Sequence, residues 1–376
     1  MALGIREWLE LDTGARRMRP MEGLRGIAVI LVFLQHYAMQ SILHIDLDTA
    51  GAEVAALLRN FGTLGVELFF ILSGFLIYGM LLRRRPNFGP FMARRAGRLY
   101  PAFLCVFIPV ALAHIALGTG EIPADWPGAA LLLAANLLFV PGVVAMEPLM
   151  AVAWTLSWEM AFYLILGIAV PGLKLPRRSR RARVALILAA LALVILASDR
   201  LPDGIGVFAS PLPALPFLFG MLLFEAEDAG TWAVPGVPAV GAGVFALTIG
   251  HWFAPSPLGR TLMESLALAL LCSAAFRGNN IAATVLSTEK LRWLGNMSYS
   301  YYLVHGLMVL AMFKAGAHLS APFWPPPMIW LLVAPIFAAT LLASFVVFAA
   351  VERPISLRPA HRPIPVPGSE PSTYPD

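Results

Sequence analysis

The chain of 376 residues is 59% hydrophobic and only 13% charged, with a mean hydropathy of +0.76. Soluble domains usually carry about a quarter charged residues, so this composition excludes a soluble globular protein and indicates a membrane protein. At about 20 apolar residues per crossing, the length accommodates around ten spans with short loops. The two cysteines, Cys105 and Cys272, lie in apolar stretches, which excludes a disulfide framework or a cysteine metal cluster.

Apolar windows predict an all-α polytopic membrane helical bundle of about ten transmembrane helices. The N-terminal arm, residues 1–20, is polar and arginine-containing, unlike a cleaved signal peptide, so the first apolar run is expected to be a retained span. The transmembrane domain then covers residues 21–354. The predicted spans are Leu24 to Leu43, Phe61 to Leu82, Leu99 to Leu117, Val152 to Leu173, Val184 to Ala197, Leu212 to Phe224, Val234 to Phe253, Leu262 to Phe276, Trp293 to Ala315 and Ile329 to Val351.

A further apolar stretch, Ala129 to Val144, is too short for periodicity alone to decide whether it crosses the membrane. Basic clusters lie on either side of it, at residues 83–98 and 174–183. If both are cytoplasmic, as the positive-inside rule requires, an even number of crossings separates them. We therefore expect Ala129 to Val144 to form a re-entrant or interfacial helix on the outer side, with both termini cytoplasmic.

The net charge of +5 is explained by these cytoplasmic basic residues, so no nucleic-acid partner is expected. The C-terminal tail, residues 355–376, is rich in proline and is expected to be disordered in the cytoplasm.

Five ionisable side chains fall inside predicted spans: Arg25, His36, Glu67, Glu159 and His305. A charge at the bilayer centre costs about 2.5 to 3.5 kcal/mol, so such groups are candidates for function. Arg25 and His36 are eleven residues apart, almost three helical turns, and should project from one face about 16 Å apart along the axis. The alternative is structural: Arg25 would anchor the helix at the headgroups, and His36 would bond a carbonyl.

Each of the other three groups also has two readings. Glu67 either partners a basic group or takes part in catalysis, and the nearby Ser73, followed by glycine, favours close approach of a helix or ligand. Glu159 shares a helix face with Tyr163 and is adjacent to Trp158, an arrangement typical of a sugar-binding surface or of a carboxylate that orders a cation. Aromatic residues near an interface are also common without a binding role.

The third group, His305, lies four residues after Tyr301 on a predicted helix. The phenol and the imidazole therefore share a face and could hydrogen-bond each other. Such a pair is either part of a site or a structural contact that satisfies itself.

Six sequence features, taken in order, resemble the acyltransferase-3 family of membrane-bound O-acyltransferases. They are the Arg25 and His36 pair, Phe69 to Phe75, Phe91 to Pro101, Trp154 to Tyr163, Tyr299 to His305 and Glu352 to Pro354. The resemblance runs from about Arg19 to Pro354, nearly the whole chain, and the ten predicted spans agree with the family's fold.

The resemblance implies an enzyme that moves an acyl group, commonly acetyl, from cytoplasmic acyl-CoA to a hydroxyl of a carbohydrate or lipid-linked acceptor. A bacterial plasma membrane is implied as its location. No permanently bound cofactor and no metal are implied, since acyl-CoA is a co-substrate. Some members carry a fused extracytoplasmic domain after the last span, where this chain has only its proline-rich tail. Transfer would then be completed by the membrane domain or by a separate extracytoplasmic partner.

Residue roles follow as hypotheses. His36 is the candidate general base, because imidazole titrates near neutrality, and Arg25 and Glu159 are the other candidate catalytic residues. Guanidinium groups pair well with phosphate oxygens. The candidate CoA-binding residues are therefore Arg94, Arg95 and Arg98, although topology alone also explains them. The candidate substrate-binding residues are Glu67, Ser73, Trp154, Trp158, Tyr163, Tyr301 and His305.

Two other classes of protein remain open at this point. A secondary transporter could use the same intramembrane His, Glu and Arg groups as a proton relay or substrate site. A noncatalytic scaffold would leave five costly ionisable groups in the membrane without a purpose. Dependence on an acyl-CoA donor distinguishes the enzyme from both.

Overall fold

The computed structural model describes residues 5–10, 19–46, 48–118, 122–198, 210–230, 241–247, 256–276, 280–319 and 324–357. Within these residues the fold is all-α, as predicted, and β structure is limited to two isolated bridges. The helices are α1 (Ile5–Leu9), α2 (Arg19–His44), α3 (Thr49–Arg84), α4 (Phe88–Leu117), α5 (Trp126–Leu137), α6 (Trp154–Gly172), α7 (Arg180–Ser198), α8 (Ala214–Asp228), α9 (Pro257–Phe276), α10 (Ile281–Leu286), α11 (Glu289–Asn296), α12 (Ser298–Leu319), α13 (Met328–Leu331) and α14 (Val333–Val347), the last continuing as a π-helix (Phe348–Ser356).

Seven helical stretches in the described ranges are long and apolar enough to cross a membrane, which establishes a membrane protein. They are Arg19–His44, Thr49–Arg84, Phe88–Leu117, Ala151–Gly172, Arg180–Ser198, Pro257–Phe276 and Met328–Ser356. Each corresponds to a predicted span.

The other three predicted spans have different outcomes. Trp293 to Ala315 corresponds to α12, a helix of 22 residues that starts at Ser298. Leu212 to Phe224 corresponds to α8, which has 15 residues. Val234 to Phe253 lies mostly outside the described residues, so the total of ten spans stays a prediction. The predicted disordered tail likewise lies, from residue 358 onward, outside them.

Several helices are longer than the apolar windows from which they were predicted. The helix α3 begins at Thr49, where Asp48 caps it by accepting a hydrogen bond from the Gly51 amide at 2.7 Å, and not at Phe61. Its 36 residues extend about 54 Å, well beyond a hydrocarbon core of about 30 Å. Hydropathy detects only the part of a helix that lipid or protein buries, so it misses the polar ends.

The short helix α5 overlaps the first part of Ala129 to Val144, which was predicted as a re-entrant or interfacial helix, and it ends at Leu137, so residues 138–144 form turns instead of helix. Its 12 residues cover about 18 Å, too little to span the hydrocarbon core alone. It is tied to the bundle by the Tyr100 hydroxyl, which donates to the Leu137 carbonyl at 2.8 Å. The side-chain oxygen of Asn136 accepts from the Leu149 amide at 2.9 Å and so fixes the following loop.

A glycine contact between α3 and α8 sets the packing beside the predicted Ser73 notch. A Cβ atom on Gly74 would lie 2.2 Å from the Phe217 carbonyl oxygen, and one on Gly220 would lie 2.2 Å from that of Ile71. The two backbones therefore approach more closely than any side chain would allow. Gly74 thus serves helix packing, while Ser73 faces the opposite way, into a cavity described below.

The N-terminal segment is docked on α11 by charged side chains. Arg292 donates from Nε to Glu22 at 2.8 Å and from Nη2 to Glu10, and the Trp293 indole donates to Glu10 at 3.2 Å. Partial burial favours the neutral form of Glu10, but these hydrogen bonds outweigh it and leave its pKa below the ordinary value. Arg292 therefore links the residues before α2 to α2 itself.

We predict that Arg292→Ala lowers the free energy of unfolding by about 3 to 5 kcal/mol, because it breaks the buried ion pair with Glu22 and the contact with Glu10 together. The side chains of Arg292 and Glu22 are 6% and 9% exposed. In the control pair, Arg6 and Glu289 are 71% and 47% exposed, so Arg6→Ala should cost at most about 1 kcal/mol. Thermal unfolding of both variants in detergent measures this, and equal losses would contradict the assignment.

Candidate active site

A cavity of about 160 Å³ lies between α2, α3, α4, α6 and α12, and we call it the charged cavity. Its polar lining residues are Arg25, Ser73, Arg95, Arg98, Thr155, Glu159, Tyr163, Ser298, Tyr299 and Tyr302. Six of these were predicted site residues, drawn from four sequence segments far apart in the chain. The structure therefore brings the central part of the predicted site together.

Glu159 organises one wall of the charged cavity. One of its carboxylate oxygens accepts hydrogen bonds from the Tyr163 hydroxyl, one turn along α6, and from the Ser73 hydroxyl at 3.3 Å. The Arg95 guanidinium lies 5.7 Å from the centroid of the Tyr163 ring and 5.9 Å from that of Phe91. The predicted face shared by Glu159 and Tyr163 is confirmed, and its partner cation comes from α4.

Arg98 is held on the opposite side by a buried carboxylate. Its Nη1 lies 2.7 Å from Glu352 Oε1, and its guanidinium carbon lies 5.7 Å from the centroid of the Tyr299 ring. Glu352 is fully buried on the π-helix and accepts hydrogen bonds from the amide and the hydroxyl of Ser300. The sequence analysis named Glu352 only as part of the Glu352 to Pro354 motif and gave it no role. In the structure Glu352 contacts Arg98, which lines the charged cavity.

The charges of this cluster do not balance. Three arginines, Arg25, Arg95 and Arg98, stand against two carboxylates, Glu159 and Glu352, among the described residues that line or contact the cavity. Buried charges are tolerated when they are paired, so an excess cation suits this cavity to an anionic ligand.

Arg94 is the one predicted CoA-binding residue that the structure places outside the charged cavity. Its side chain is exposed, whereas Arg95 and Arg98 are three residues apart and share the inward face of α4. Adjacent helix positions differ by about 100°, so Arg94 points away from its neighbour.

A second and larger cavity, of about 490 Å³, contains His36, and we call it the His36 cavity. The described residues lining it are His36, Met39, Gln40, His114, Leu132, Glu147, Pro148, Leu149, Met150, Ala151, Val152, Gly306, Leu307 and Leu310. Arg25 and His36 therefore project from the same helix into two different cavities, which sequence reasoning did not separate.

His36 packs against a buried partner imidazole. The rings of His36 and His305 are 4.8 Å apart, edge to face, and His305 is fully buried. Its Nδ1 lies 3.0 Å from the Tyr301 carbonyl oxygen, which only accepts hydrogen bonds, so Nδ1 carries the proton. In the neutral ring Nε2 is then the acceptor, and it has no hydrogen-bond partner among the described residues.

The possible hydrogen bond between the Tyr301 hydroxyl and His305 is absent. The two rings stack instead, 5.4 Å apart and within 9° of parallel, and the hydroxyl lies 3.0 Å from Thr340 Oγ1 on α14. The imidazole bonds the backbone carbonyl four residues earlier, which it reaches more readily than a phenol that projects beyond it. Tyr301 lines neither cavity.

Tyr302 separates the two cavities. Its ring lines the charged cavity, and its hydroxyl donates to the Val152 carbonyl at 2.7 Å while accepting from Thr155 Oγ1 at 2.6 Å. Val152 lines the His36 cavity, and the Tyr302 ring lies 5.6 Å from that of His305. The partition therefore contains both the Tyr302 side chain and Val152, and sequence reasoning missed it because Tyr302 is one of three tyrosines in a short segment.

The remaining predicted residues lie elsewhere. Trp158 lines an apolar groove of about 280 Å³ between α6, α7 and α8, on the side of α6 away from Glu159. Trp154 packs edge to face against Phe70. Glu67 interacts with the Glu264 carboxyl of α9 and not with the basic partner considered from the sequence.

Comparisons with known proteins match this arrangement to one family. The model of the family described as Acyltransferase domain matches residues 20–349. The Exopolysaccharide production protein ExoZ of Rhizobium meliloti (strain 1021) is 30% identical over 317 residues, covering 79% of this chain and 90% of the relative. Acyltransferase MdmB of Streptomyces mycarofaciens is 26% identical over 363 residues, covering 90% of this chain and 91% of the relative.

A longer relative is O-acetyltransferase OatA of Staphylococcus aureus (strain NCTC 8325 / PS 47), 25% identical over 328 residues that cover 79% of this chain and 51% of the relative. No solved structure matches the chain. The family match covers most of the chain and contains every lining residue of the charged cavity. The chain therefore belongs to the Acyltransferase domain family and is a membrane-bound, acyl-transferring enzyme.

Proposed function

We propose that the enzyme moves an acyl group, commonly acetyl, from cytoplasmic acyl-CoA to a hydroxyl of a carbohydrate or lipid-linked glycan in a bacterial plasma membrane. The observation that carries the proposal is the pair of cavities: a cationic one and an imidazole-containing one, separated by Tyr302 and Val152. The names of two relatives, an O-acetyltransferase and an exopolysaccharide production protein, agree with this acceptor class. Their acyltransferase family favours transfer over the transporter alternative.

In this proposal the charged cavity receives the donor. Arg95 and Arg98 hold phosphate or thioester oxygens, since guanidinium groups donate to such oxygens in pairs. Glu352 positions Arg98, and Glu159 with Tyr163 positions Arg95. Arg25 supplies the third positive charge beside the partition. The arginine clusters at residues 83–98 and 174–183 then face the cytoplasm, with both termini on that side and ten spans in total.

His36 acts as the general base on the other side of the partition. The acceptor hydroxyl transfers its proton to the imidazole, and its oxygen attacks the thioester carbon. The carbon–sulfur bond then breaks, and the thiolate leaves as CoA after taking the proton from the His36 imidazolium, which returns the imidazole to its neutral form. The edge of His305 packs against His36 and fixes the ring plane, so His305 is a positioning residue.

The thioester must pass Tyr302 for this reaction to occur. A base can act only within hydrogen-bond reach of the proton it removes, about 2.6 to 3.2 Å between heavy atoms, whereas the arginines lie on the far side of the partition. We therefore expect the Tyr302 side chain to move when the acyl-bearing arm of the donor binds.

The assay that tests the proposed function incubates the purified protein with radiolabelled acetyl-CoA and a membrane or polysaccharide fraction. Ester-linked label that mild alkali releases is expected. Failure to transfer label from any acyl-CoA would contradict the proposal and favour the transporter.

For the base, we predict that His36→Ala lowers kcat for transfer by about 10²- to 10⁴-fold, the usual contribution of general-base catalysis. The matched control is His44→Ala on the same helix. His44 bonds the Gln40 carbonyl at 3.0 Å and lines neither cavity, so its removal should leave transfer nearly unchanged. Activity retained by the His36 variant would remove it as the base.

For donor binding, we predict that Arg95→Ala and Arg98→Ala each raise the KM for acyl-CoA by about tenfold or more, because a charge-assisted hydrogen bond contributes about 1.5 to 3 kcal/mol. Arg94→Ala, which removes an exposed neighbour, is the control and should leave this KM unchanged. Equal effects at all three positions would indicate a general role of positive charge rather than a cavity contact.

For the partition, we predict that Tyr302→Phe raises acceptor-independent hydrolysis of acetyl-CoA by about fivefold, because it removes the hydrogen bond to Val152, worth about 1 kcal/mol, and lets water reach the thioester. Tyr301→Phe also removes one buried hydroxyl, but Tyr301 is not part of the partition. This variant should show no rise in hydrolysis of acetyl-CoA. The ratio of hydrolysis to transfer in both variants measures the effect. An unchanged ratio in Tyr302→Phe would contradict the role of the partition.

A further inference from the structure

We infer that the His36 cavity is the acceptor site and that it selects a neutral polyhydroxylated ligand, a sugar residue without a carboxylate or phosphate of its own. This inference rests on the proposed function and deepens it, because it names the chemistry of the acceptor. It also places the acceptor away from the aromatic residues that the sequence suggested for it.

The size and the walls of the cavity suit a sugar residue. Its volume of about 490 Å³ falls within the range of about 300 to 1,000 Å³ typical of small-molecule sites. Leucine and methionine side chains from α2, α5, α12 and the 147–152 segment provide apolar walls that can cover the C–H faces of a ring. Trp158 faces the apolar groove and Tyr163 the charged cavity, so neither contributes an aromatic surface here.

Gln40 supplies a hydrogen-bonding group beside the proposed base. It lies four residues after His36, and both side chains line the cavity from one face of α2. Its Oε1 atom is buried and has no hydrogen-bond partner among the described residues. An amide oxygen only accepts hydrogen bonds, so the ligand it calls for is a donor, as a sugar hydroxyl is. A hydroxyl held by Gln40 would sit about one helical turn from His36.

The charge of the lining disfavours anionic groups. The ionisable side chains among the described lining residues are those of His36, His114 and the exposed Glu147, and no Lys or Arg is among them. A uronate or phosphate in this cavity would meet the like charge of Glu147 and no permanently charged cation to pair with it. The charged cavity has the opposite balance. The two cavities therefore sort their ligands by charge, with the anionic donor in one and the neutral acceptor in the other.

The test uses full-length protein in nanodiscs, radiolabelled acetyl-CoA and the polysaccharide fraction as acceptor, with two monosaccharides as competitors. Methyl β-glucoside and methyl β-glucuronide differ only in replacement of a hydroxymethyl group by a carboxylate. We expect the glucoside to inhibit label transfer with an inhibition constant at least about tenfold lower than that of the glucuronide. Equal inhibition by the two, or no inhibition by the glucoside, would overturn the inference.

Two variants locate this selectivity in the cavity. Glu147→Lys should narrow or reverse the preference for the glucoside over the glucuronide. Glu53→Lys, at an exposed position near the start of α3, should leave this preference unchanged. Gln40→Leu should raise the inhibition constant of the glucoside about tenfold without changing the KM for acetyl-CoA. If Glu147→Lys does not fold, judged by thermal unfolding, Glu147→Gln replaces it and should narrow the preference. If the Glu147 variant leaves the preference for the glucoside unchanged and Gln40→Leu leaves the inhibition constant of the glucoside unchanged, the inference is overturned.

Failure of the inference and failure of the proposed function give different results. If the wild-type protein transfers no label from acetyl-CoA to any fraction, the proposed function fails, and the inference fails with it. If label is transferred but the two glycosides and the variants behave alike, only the inference about the His36 cavity fails.

Discussion

The arrangement of the bundle depends on the pairing of buried charges. An arginine inside a membrane domain is costly unless carboxylates or aromatic rings surround it, and here Glu352 meets Arg98 at 2.7 Å while Tyr163 and Phe91 flank Arg95. The contacts of Glu352 and Tyr163 join helices distant in sequence: the π-helix to α4, and α6 to α4. The charged cavity is the space left between these pairs, and its uncompensated positive charge is what suits it to a phosphate-bearing donor.

The separation of the two cavities gives the proposed reaction its direction. Arg25 and His36 project from one straight helix, yet Tyr302 and its hydrogen bonds to Val152 and Thr155 divide the space between them. A donor held by arginines and an acceptor beside an imidazole can then approach from opposite sides. In the proposed reaction this partition would keep water from the thioester until the acceptor is in place, which would favour transfer over hydrolysis.

Much of the fold could be predicted from the sequence, since apolar windows and basic clusters are local signals. They located every helix found long enough to span, and they predicted that the stretch Ala129 to Val144, which overlaps α5, would not cross. The site was partly predictable, because Glu159, Tyr163, Arg95 and Arg98 belong to segments that resemble those of a known family. The sequence alone does not show that Arg95, and not Arg94, faces the charged cavity, because this depends on how α4 is rotated about its axis. For the same reason it does not show that Glu159 lines this cavity while Trp158 does not.

Other features depend on contacts between distant segments, which no local pattern contains. Glu352 and Arg98 are 254 positions apart, as their numbers give, and the unpartnered amide oxygen of Gln40 is visible only when its surroundings are known. The division into two cavities depends on Tyr302, whose side chain is distinguished from that of Tyr301 by its position on α12 alone. Even the contact between Glu67 and Glu264 runs against the expectation that a buried acid finds a base.

The proposed transfer, from a donor in the charged cavity on the cytoplasmic side to an acceptor that reaches the His36 cavity from the outer side, is tested most directly in sealed proteoliposomes with the polysaccharide acceptor inside and radiolabelled acetyl-CoA outside. Acetyl-CoA does not cross the bilayer, so the donor reaches the protein from one side only. We expect ester-linked label on the enclosed acceptor. In a second preparation the acceptor is added only to the outside, and protein whose cytoplasmic face is outward should then transfer no label to it. Label found only on acceptor on the same side as acetyl-CoA would contradict the proposed transfer.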